Sequence, residues 1–362
     1  MFFFRINFKN LPSSNTSPKL SEFLSFFEKV NEKLKNYKNI SWIIEDRINN
    51  KNLNPEPEIQ LVDFVKKAHS IIKKYNKDSK VYLGSLMQSE LFSKRVSYAA
   101  DNLLNYLNLG IADYCDGFIL EFYNVLSSNS FLPSDYKIIF TYFNLIKNTL
   151  SLKSINNKEL FLITSTYSGN ILVRQEEDKD NKETFYNIGD LQTEQQQSGL
   201  IIRNIIYGIY SGFDYIFLPK IFDDNEDILE VISKSGIIDK VSENDKDLSQ
   251  IRKKLSYWSI KFLNKILANS KFIKKIDSSY KGVEIFLFEN DKKFFYIIWN
   301  DFADINTEIK IDLANSKGIN HLLPYDNNTK EGISIPFSLD KKELIISFSI
   351  NSYIPRIIEV EK

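Results

Sequence analysis

Cysteine occurs once, as Cys115, in 362 residues, which excludes a disulfide framework within the chain and says nothing decisive about compartment. Histidine occurs twice, at His69 and His321, far apart and without cysteine partners, so neither a metal site nor a cofactor is implied. Net charge is absent as well. The 47 basic side chains balance 47 acidic ones, which leaves no electrostatic footprint for nucleic acid or an anionic membrane. No apolar run approaches the roughly 18 residues of a membrane span. The start, MFFFRINF, has one arginine, a very short apolar stretch and no small-residue cleavage site, so it does not read as a signal peptide. A cytoplasmic location is therefore the default expectation. What the chain has in quantity is apolar bulk. A hydrophobic share of 43%, with 28 Phe and 19 Tyr, is ample for a packed core.

The organising stretch is Ser41-Trp-Ile-Ile-Glu-Asp-Arg47. It reads as a short apolar strand, Ile40 to Ile44, that ends in three charges, Glu45, Asp46 and Arg47. Around it, strand and helix patterns alternate. Residues 2–8 form the first strand. Leu20, Phe23, Leu24, Phe27, Val30 and Leu34 keep helical spacing over 18–37, and a second helix covers 58–76. Strands over 80–85, 116–122, 159–164 and 214–219 follow, separated by helices over 89–108, 133–149 and 193–211, the last ending at Gly212 as a natural C-cap. A polar excursion fills 168–192. Two further helices are expected at 226–236 and 247–268. Six apolar strands in βαβα order argue a parallel sheet buried on both faces. After residue 270 the pattern changes to short strands at 284–288, 293–299, 308–312 and 343–348, which read as an antiparallel sandwich. The expected organisation is a barrel-like domain over 1–270 and a β-sandwich over 271–362.

This order of segments resembles clan A glycoside hydrolases of the β-xylosidase and α-L-iduronidase type, which combine a (β/α)8 barrel with a small β-sandwich. Residues 40–47 look like that family's W-x-I-W-N-E-P strand end, and AHSIIKKYNKDSKVYLGS, residues 68–85, looks like the phrase before its next strand. Phe161-Leu-Ile-Thr-Ser-Thr-Tyr167 resembles W-I-T-E-T-G, and Thr193-Glu-Gln-Gln-Gln197 resembles T-E-x-x-Q. The match spans nearly the whole chain in order, with no single motif intact. It implies a TIM-type barrel that lacks its first two strands here. Three readings of that lack stay open: the chain is a fragment, a partner chain covers the open edges, or the barrel is open.

The resemblance also implies a chemistry that the residues contradict. Retaining glycosidases need two carboxyl groups about 5–5.5 Å apart, one acid and one nucleophile. In the matching register those positions hold Arg47 and Ser165. Arginine donates no proton at neutral pH, and serine without a base is a poor nucleophile. Surviving catalytic candidates are Glu45 and Asp46, for which a salt-bridged cluster with Arg47 is the stronger reading, and Glu121, which is as well explained as a strand-end polar group. Tyr123, Ser165, Tyr167, Lys220 and Asp223, together with Arg47, are candidate sugar contacts whose plain alternative is loop chemistry. Trp42 and Trp299 read as core, and the acidic run Glu176–Asp180 as a solvated loop without calcium spacing. Three functions follow: a degenerate glycosidase relative with a carbohydrate-binding or structural role, a working glycosidase with displaced carboxylates, or a protein-interaction module.

Overall fold

The computed structural model describes residues 2–7, 20–45, 56–87, 97–124, 135–166, 169–174, 185–218, 236–238, 252–278, 281–301, 306–312, 318–322, 338–340, 343–349 and 355–362. Two compact units comprise residues 1–122, 140–163 and 211–217 in one, and 123–139, 164–210 and 218–362 in the other.

The first unit is built on β1 (Phe2–Asn7), α1 (Leu20–Leu34), β2 (Ile40–Glu45), α2 (Glu56–Tyr75), β3 (Lys80–Met87), α3 (Ser97–Asn108), β4 (Gly117–Asn124), α4 (Ile138–Leu152) and β5 (Glu159–Thr166). After β6 (Gly169–Arg174), β7 (Phe185–Gln192) and α5 (Glu194–Ser211), β8 (Tyr215–Phe217) completes its sheet. The six strands run in the order β1-β2-β3-β4-β5-β8, with parallel pairing. This is a curled half-barrel of the TIM type.

Alternation along each strand sorts the side chains onto two faces. Outward, Trp42 stacks on Phe4 at 5.0 Å and meets Phe27 of α1 edge-on at 4.8 Å. Inward, Phe3, Tyr82, Phe161, Tyr215 and Phe217 fill the concave face with Ile43, Ile119 and Ile163. Tyr82 and Phe161 approach to 4.2 Å across β4, where Tyr82 is in register with Gly117. The two edges of the sheet meet in this filling: Phe3 of β1 and Phe217 of β8 stand 5.1 Å apart. With strands spaced about 4.8 Å apart and a phenyl ring reaching roughly 4 Å from its backbone, the edges leave room for at most about two further strands.

The amino ends of the strands are tied by carboxylates. Asp116, just before β4, accepts the Val81 N–H at 2.8 Å, and Asp214, just before β8, accepts the Leu160 N–H at 2.8 Å. Each side chain thus extends a parallel ladder by one hydrogen bond. Glu159 takes the Tyr82 hydroxyl at 2.6 Å and pairs with Lys80.

In the second unit α5 opens with a capping box. Gln196 N–H donates to Thr193 Oγ1 at 3.2 Å, and Thr193 N–H to Gln196 Oε1 at 2.8 Å. At the other end of the helix Gly212 has φ 96°, the left-handed cap its sequence predicts. The excursion 168–192 is not simply polar loop. Its apolar ends, Ile171-Leu-Val and Phe185-Tyr, form the antiparallel hairpin β6–β7. Helix α6 (Leu255–Leu267) falls inside the predicted 247–268, and residues 226–235 lie outside the described ones.

The C-terminal strands are β9 (Lys271–Ile276), β10 (Val283–Glu289), β11 (Lys293–Asn300), β12 (Asn306–Asp312), β13 (Gly318–Leu322), β14 (Ser338–Asp340), β15 (Glu343–Ser349) and β16 (Arg356–Glu361). They make two antiparallel sheets, β13-β16-β11-β10-β9 and β12-β15-β14. All four predicted strands are among these eight. Of the other four, β13 and β14 are short and β9 carries three lysines, which weakens their apolar alternation, while β16, Arg-Ile-Ile-Glu-Val-Glu, breaks it with charges. Trp42 and Trp299 are buried, as expected. No helix among the described residues is long and apolar enough to cross a membrane.

Gly117 tests this packing. A Cβ there would lie 2.3 Å from the Glu159 carbonyl oxygen, so Gly117→Ala should cost about 1–3 kcal/mol through forced backbone shift, read as a lower midpoint in urea unfolding followed by circular dichroism.

Candidate functional site

In an α/β barrel the chemistry gathers at the carboxyl ends of the strands. Glu45 is the last residue of β2, in register with Asn7 of β1 and Gly84 of β3. Gly84 is required by close packing, for a Cβ there would meet Ile119 Cβ at 2.5 Å. Glu121 of β4 pairs in register with Met87 and is buried, 5% exposed. It stands two residues beyond Ile119, on the same concave face, above the aromatic filling. Tyr123 belongs to β4 and Ser165 to β5. The backbone therefore carries Glu45, Glu121, Tyr123 and Ser165 to the carboxyl ends of one sheet. Asp46, Arg47, Tyr167, Lys220 and Asp223 lie outside the described residues, as does the run Glu176–Asp180.

The T-E-x-x-Q likeness has a physical content in α5. Thr193 caps the helix. Glu194 accepts the Leu255 N–H at 3.2 Å and pairs with Arg252 at 2.6 Å. Gln197 is fully buried: its amide donates to the carbonyls of Thr166 and Gly236, both at 3.2 Å, and its Oε1 accepts from Ser256 Oγ at 3.2 Å. One glutamine thus joins the end of β5 to the start of α6. Asn204, two turns further on, donates to Thr164 Oγ1 at 2.9 Å.

A second group of ionisable side chains was not flagged by the sequence. Lys137 Nζ lies 2.7 Å from Glu284 and 2.8 Å from Asp301, so the two carboxylates stand no more than about 5.5 Å apart, inside the spacing of retaining glycosidases. Lys275 holds Glu284 at 2.6 Å and Tyr207 donates to it at 3.0 Å. Tyr136 donates to Asp301 and receives the Trp299 indole N–H at 2.8 Å. The Arg203 guanidinium lies 5.7 Å from both the Tyr136 and Trp299 ring centres. Spacing alone does not make this an active site. Glu284 and Asp301 are buried, with 5% and 4% exposure, and a lysine occupies the place between them that a sugar would need. Burial alone would raise the Glu284 carboxyl, but hydrogen bonds from Lys137 and Lys275 outweigh it and hold the group below the usual carboxylate range. A carboxylate kept ionised in this way is no general acid. The signal in the sequence was a single charge inside an apolar run, in Ile-Ile-Arg203-Asn-Ile-Ile and Gly-Val-Glu284-Ile-Phe-Leu-Phe.

Other reactive groups are quiet. Burial pushes the Cys115 thiol up to about 12, which leaves no thiolate at neutral pH. Burial, then Lys73, lowers the His69 imidazole, which packs edge-on against Tyr114 at 5.7 Å. No cluster of three metal-ligating side chains occurs among the described residues.

No protein-family model matches the chain, and no curated protein matches it. Solved structures do. BuGH86 in complex with neoagarooctaose superposes with a TM-score of 0.57 at 13% identity, over 97% of this chain and 56% of that one. The glycoside hydrolase family 30 subfamily 8 xylanase Xyn30A from Clostridium acetobutylicum gives 0.51 at 9% identity, over 94% and 72%. The fold is therefore a TIM-type α/β barrel architecture like that of these two proteins, and the chain spans a little over half the length of BuGH86.

The sign of the Glu284 shift makes a testable claim. A lowered folded pKa gives stability that is present above the unfolded carboxylate value, about 4.3, and is lost as pH falls through the folded value. Glu284→Gln should lower unfolding free energy at pH 7 by about 1–3 kcal/mol, less than a fully sealed pair because both lysines are partly exposed. The gap between variant and parent should close as the pH is taken below 4 in urea titrations.

Proposed function

We propose that this chain is a glycoside-hydrolase relative that holds carbohydrate at the carboxyl ends of its strands without hydrolysing it. The observation that carries the reading is chemical. Where the family resemblance expects an acid and a nucleophile, the chain has Arg47 and Ser165, and neither can do that work. The clan-level fold supports the carbohydrate part, since a xylanase and a neoagarooctaose-bound protein share it. On the concave face Glu121 is the one carboxylate placed toward the carboxyl ends among the described side chains, and retaining hydrolysis needs a pair. A partner chain laid along β1 and β8 belongs to the same proposal. Among the described residues each of these strands pairs on one side only.

A second reading keeps hydrolysis, with Glu121 as acid and Glu45 or Asp46 as its partner. It is favoured by the place of Glu121, a buried carboxyl group toward the carboxyl end of β4, where the acid and base of a barrel enzyme stand.

Both readings are tested by hydrolysis of a panel of aryl β-glycosides, run beside calorimetric titration with xylohexaose and neoagarooctaose. The expected outcome is no turnover above blank, with binding of one oligosaccharide in the micromolar to millimolar range. Turnover that falls about a hundredfold in Glu121→Gln, Glu45→Gln or Asp46→Asn would replace the proposal with the enzyme. Folded protein that neither hydrolyses nor binds sugar would leave a protein-interaction module.

A further inference from the structure

Helix α1 packs by one side and meets α2 along a flank. Phe27 and Asn31 are buried, and Glu28 accepts from Lys74 at 2.6 Å and from the Tyr75 hydroxyl at 3.2 Å. The opposite side of the helix is open. Glu22, Phe26, Lys29 and Lys33 are all exposed there, at intervals of four, three and four residues. Those intervals are the spacing of a two-helix seam, so the four side chains form one stripe. Phe26 is 62% exposed, more than any other described phenylalanine. A lone exposed ring is ordinary, but this one has a patterned setting. Phe23 and Val30, both partly buried, border the stripe. Glu22, Lys29 and Lys33 pair with no described residue, unlike Glu28.

The stripe is complementary to itself in one orientation. Two copies of α1 can lie antiparallel with Glu22 opposite Lys33 of the partner subunit. The same spacing then brings Phe26 opposite Lys29 of the partner subunit, and a two-fold axis repeats both contacts. Phe26 of the partner subunit falls three residues along, about 4.5 Å at a rise of about 1.5 Å per residue. That offset suits stacked rings, and each ring also meets an ammonium group. A parallel pair has none of this. It would set Glu22 against Glu22 of the partner subunit and each lysine against its equivalent, so every charged level would repel.

We propose that a second copy of this chain docks on the outer face of α1, the two helices antiparallel about a two-fold axis. Phe26 stacks on Phe26 of the partner subunit, and Glu22 pairs with Lys33 of the partner subunit. One 15-residue helix from each copy buries less than the roughly 1,200 Å² at which standard interfaces begin, so the dimer is weak and reversible. The contact uses neither the sheet edges nor the carboxyl ends of the strands, and it does not rest on the carbohydrate reading.

Sedimentation equilibrium of the full chain, run from about 1 to about 500 μM at low salt, reads the association directly. The expected result is a monomer–dimer equilibrium with a Kd of about 10–200 μM, weakened by salt at about 1 M. Phe26→Ser should raise that Kd about tenfold or more. Glu22→Lys and Lys33→Glu should each raise it about fivefold, because each sets like charges opposite one another. The double variant Glu22→Lys/Lys33→Glu restores both pairs with their signs exchanged, and should return the Kd to within about twofold of the parent. That rescue separates a lost contact from a poorly folded single variant. A chain that stays monomeric up to about 500 μM overturns the proposal. So does a dimer that Phe26→Ser leaves unchanged, or one that the double variant fails to restore.

Discussion

Parallel strands satisfy their backbone groups only through lateral neighbours, and β1 and β8 each have one among the described residues. What draws these two edges toward each other is instead side-chain filling, seen most directly in the contact of Phe3 with Phe217 at 5.1 Å. The magnitudes show what such filling can and cannot do. An aromatic pair adds about 0.5–1.5 kcal/mol beyond its buried area, and a ladder hydrogen bond nets about as much. A handful of ring contacts therefore cannot stand in for two strands' worth of ladder. They set the curvature of the sheet and exclude water from its concave face, but they leave its edge groups to other partners. A filled concave face also fixes where a ligand can sit. Among the described side chains, Glu121 stands at the level above the rings.

The pair formed by Glu284 and Asp301 shows why carboxylate spacing is a necessary criterion and not a sufficient one. Their separation would suit a double displacement, yet one lysine neutralises both, a second holds Glu284, and the surrounding rings of Tyr136, Tyr207 and Trp299 shut out a substrate. The same side chains explain why the network persists. Buried charges are tolerable when every partner is present and costly when one is removed. Its role is to join the turn Asp135–Lys137, the middle of α5 and the strands β9 to β11 into one packed unit.

Much of this was legible in the sequence, because hydrophobic period reports burial directly. The strand at residues 40–45 and the helix over 193–211 are placed to within a residue or two, the first by an apolar run ending in charges and the second by its glycine C-cap at Gly212. The pairing of β6 with β7 is hidden in the sequence because the charged residues between them swamp the apolar ends over any window that spans both. Arg203, Glu284 and Asp301 were missed for a different reason. A lone charge in an apolar run declares that it is buried, but its partner lies elsewhere in the chain, at separations such as 97 residues between Arg203 and Asn300.

The division of labour within the sheet explains how such a fold can keep its shape when its chemistry changes. Asp116, Asp214 and Glu159 tie strands at their amino ends, through a backbone N–H for the first two and through Lys80 and Tyr82 for the third. Gly84 and Gly117 set the interstrand approach in the body of the sheet. The three carboxylates stand at the amino ends, opposite the ends where the chemistry of a barrel gathers. Stability and chemistry occupy opposite ends of the same strands, so loss at one end leaves the other intact. That separation is the physical reason a barrel can keep its shape whichever side chains stand at the ends where ligands gather.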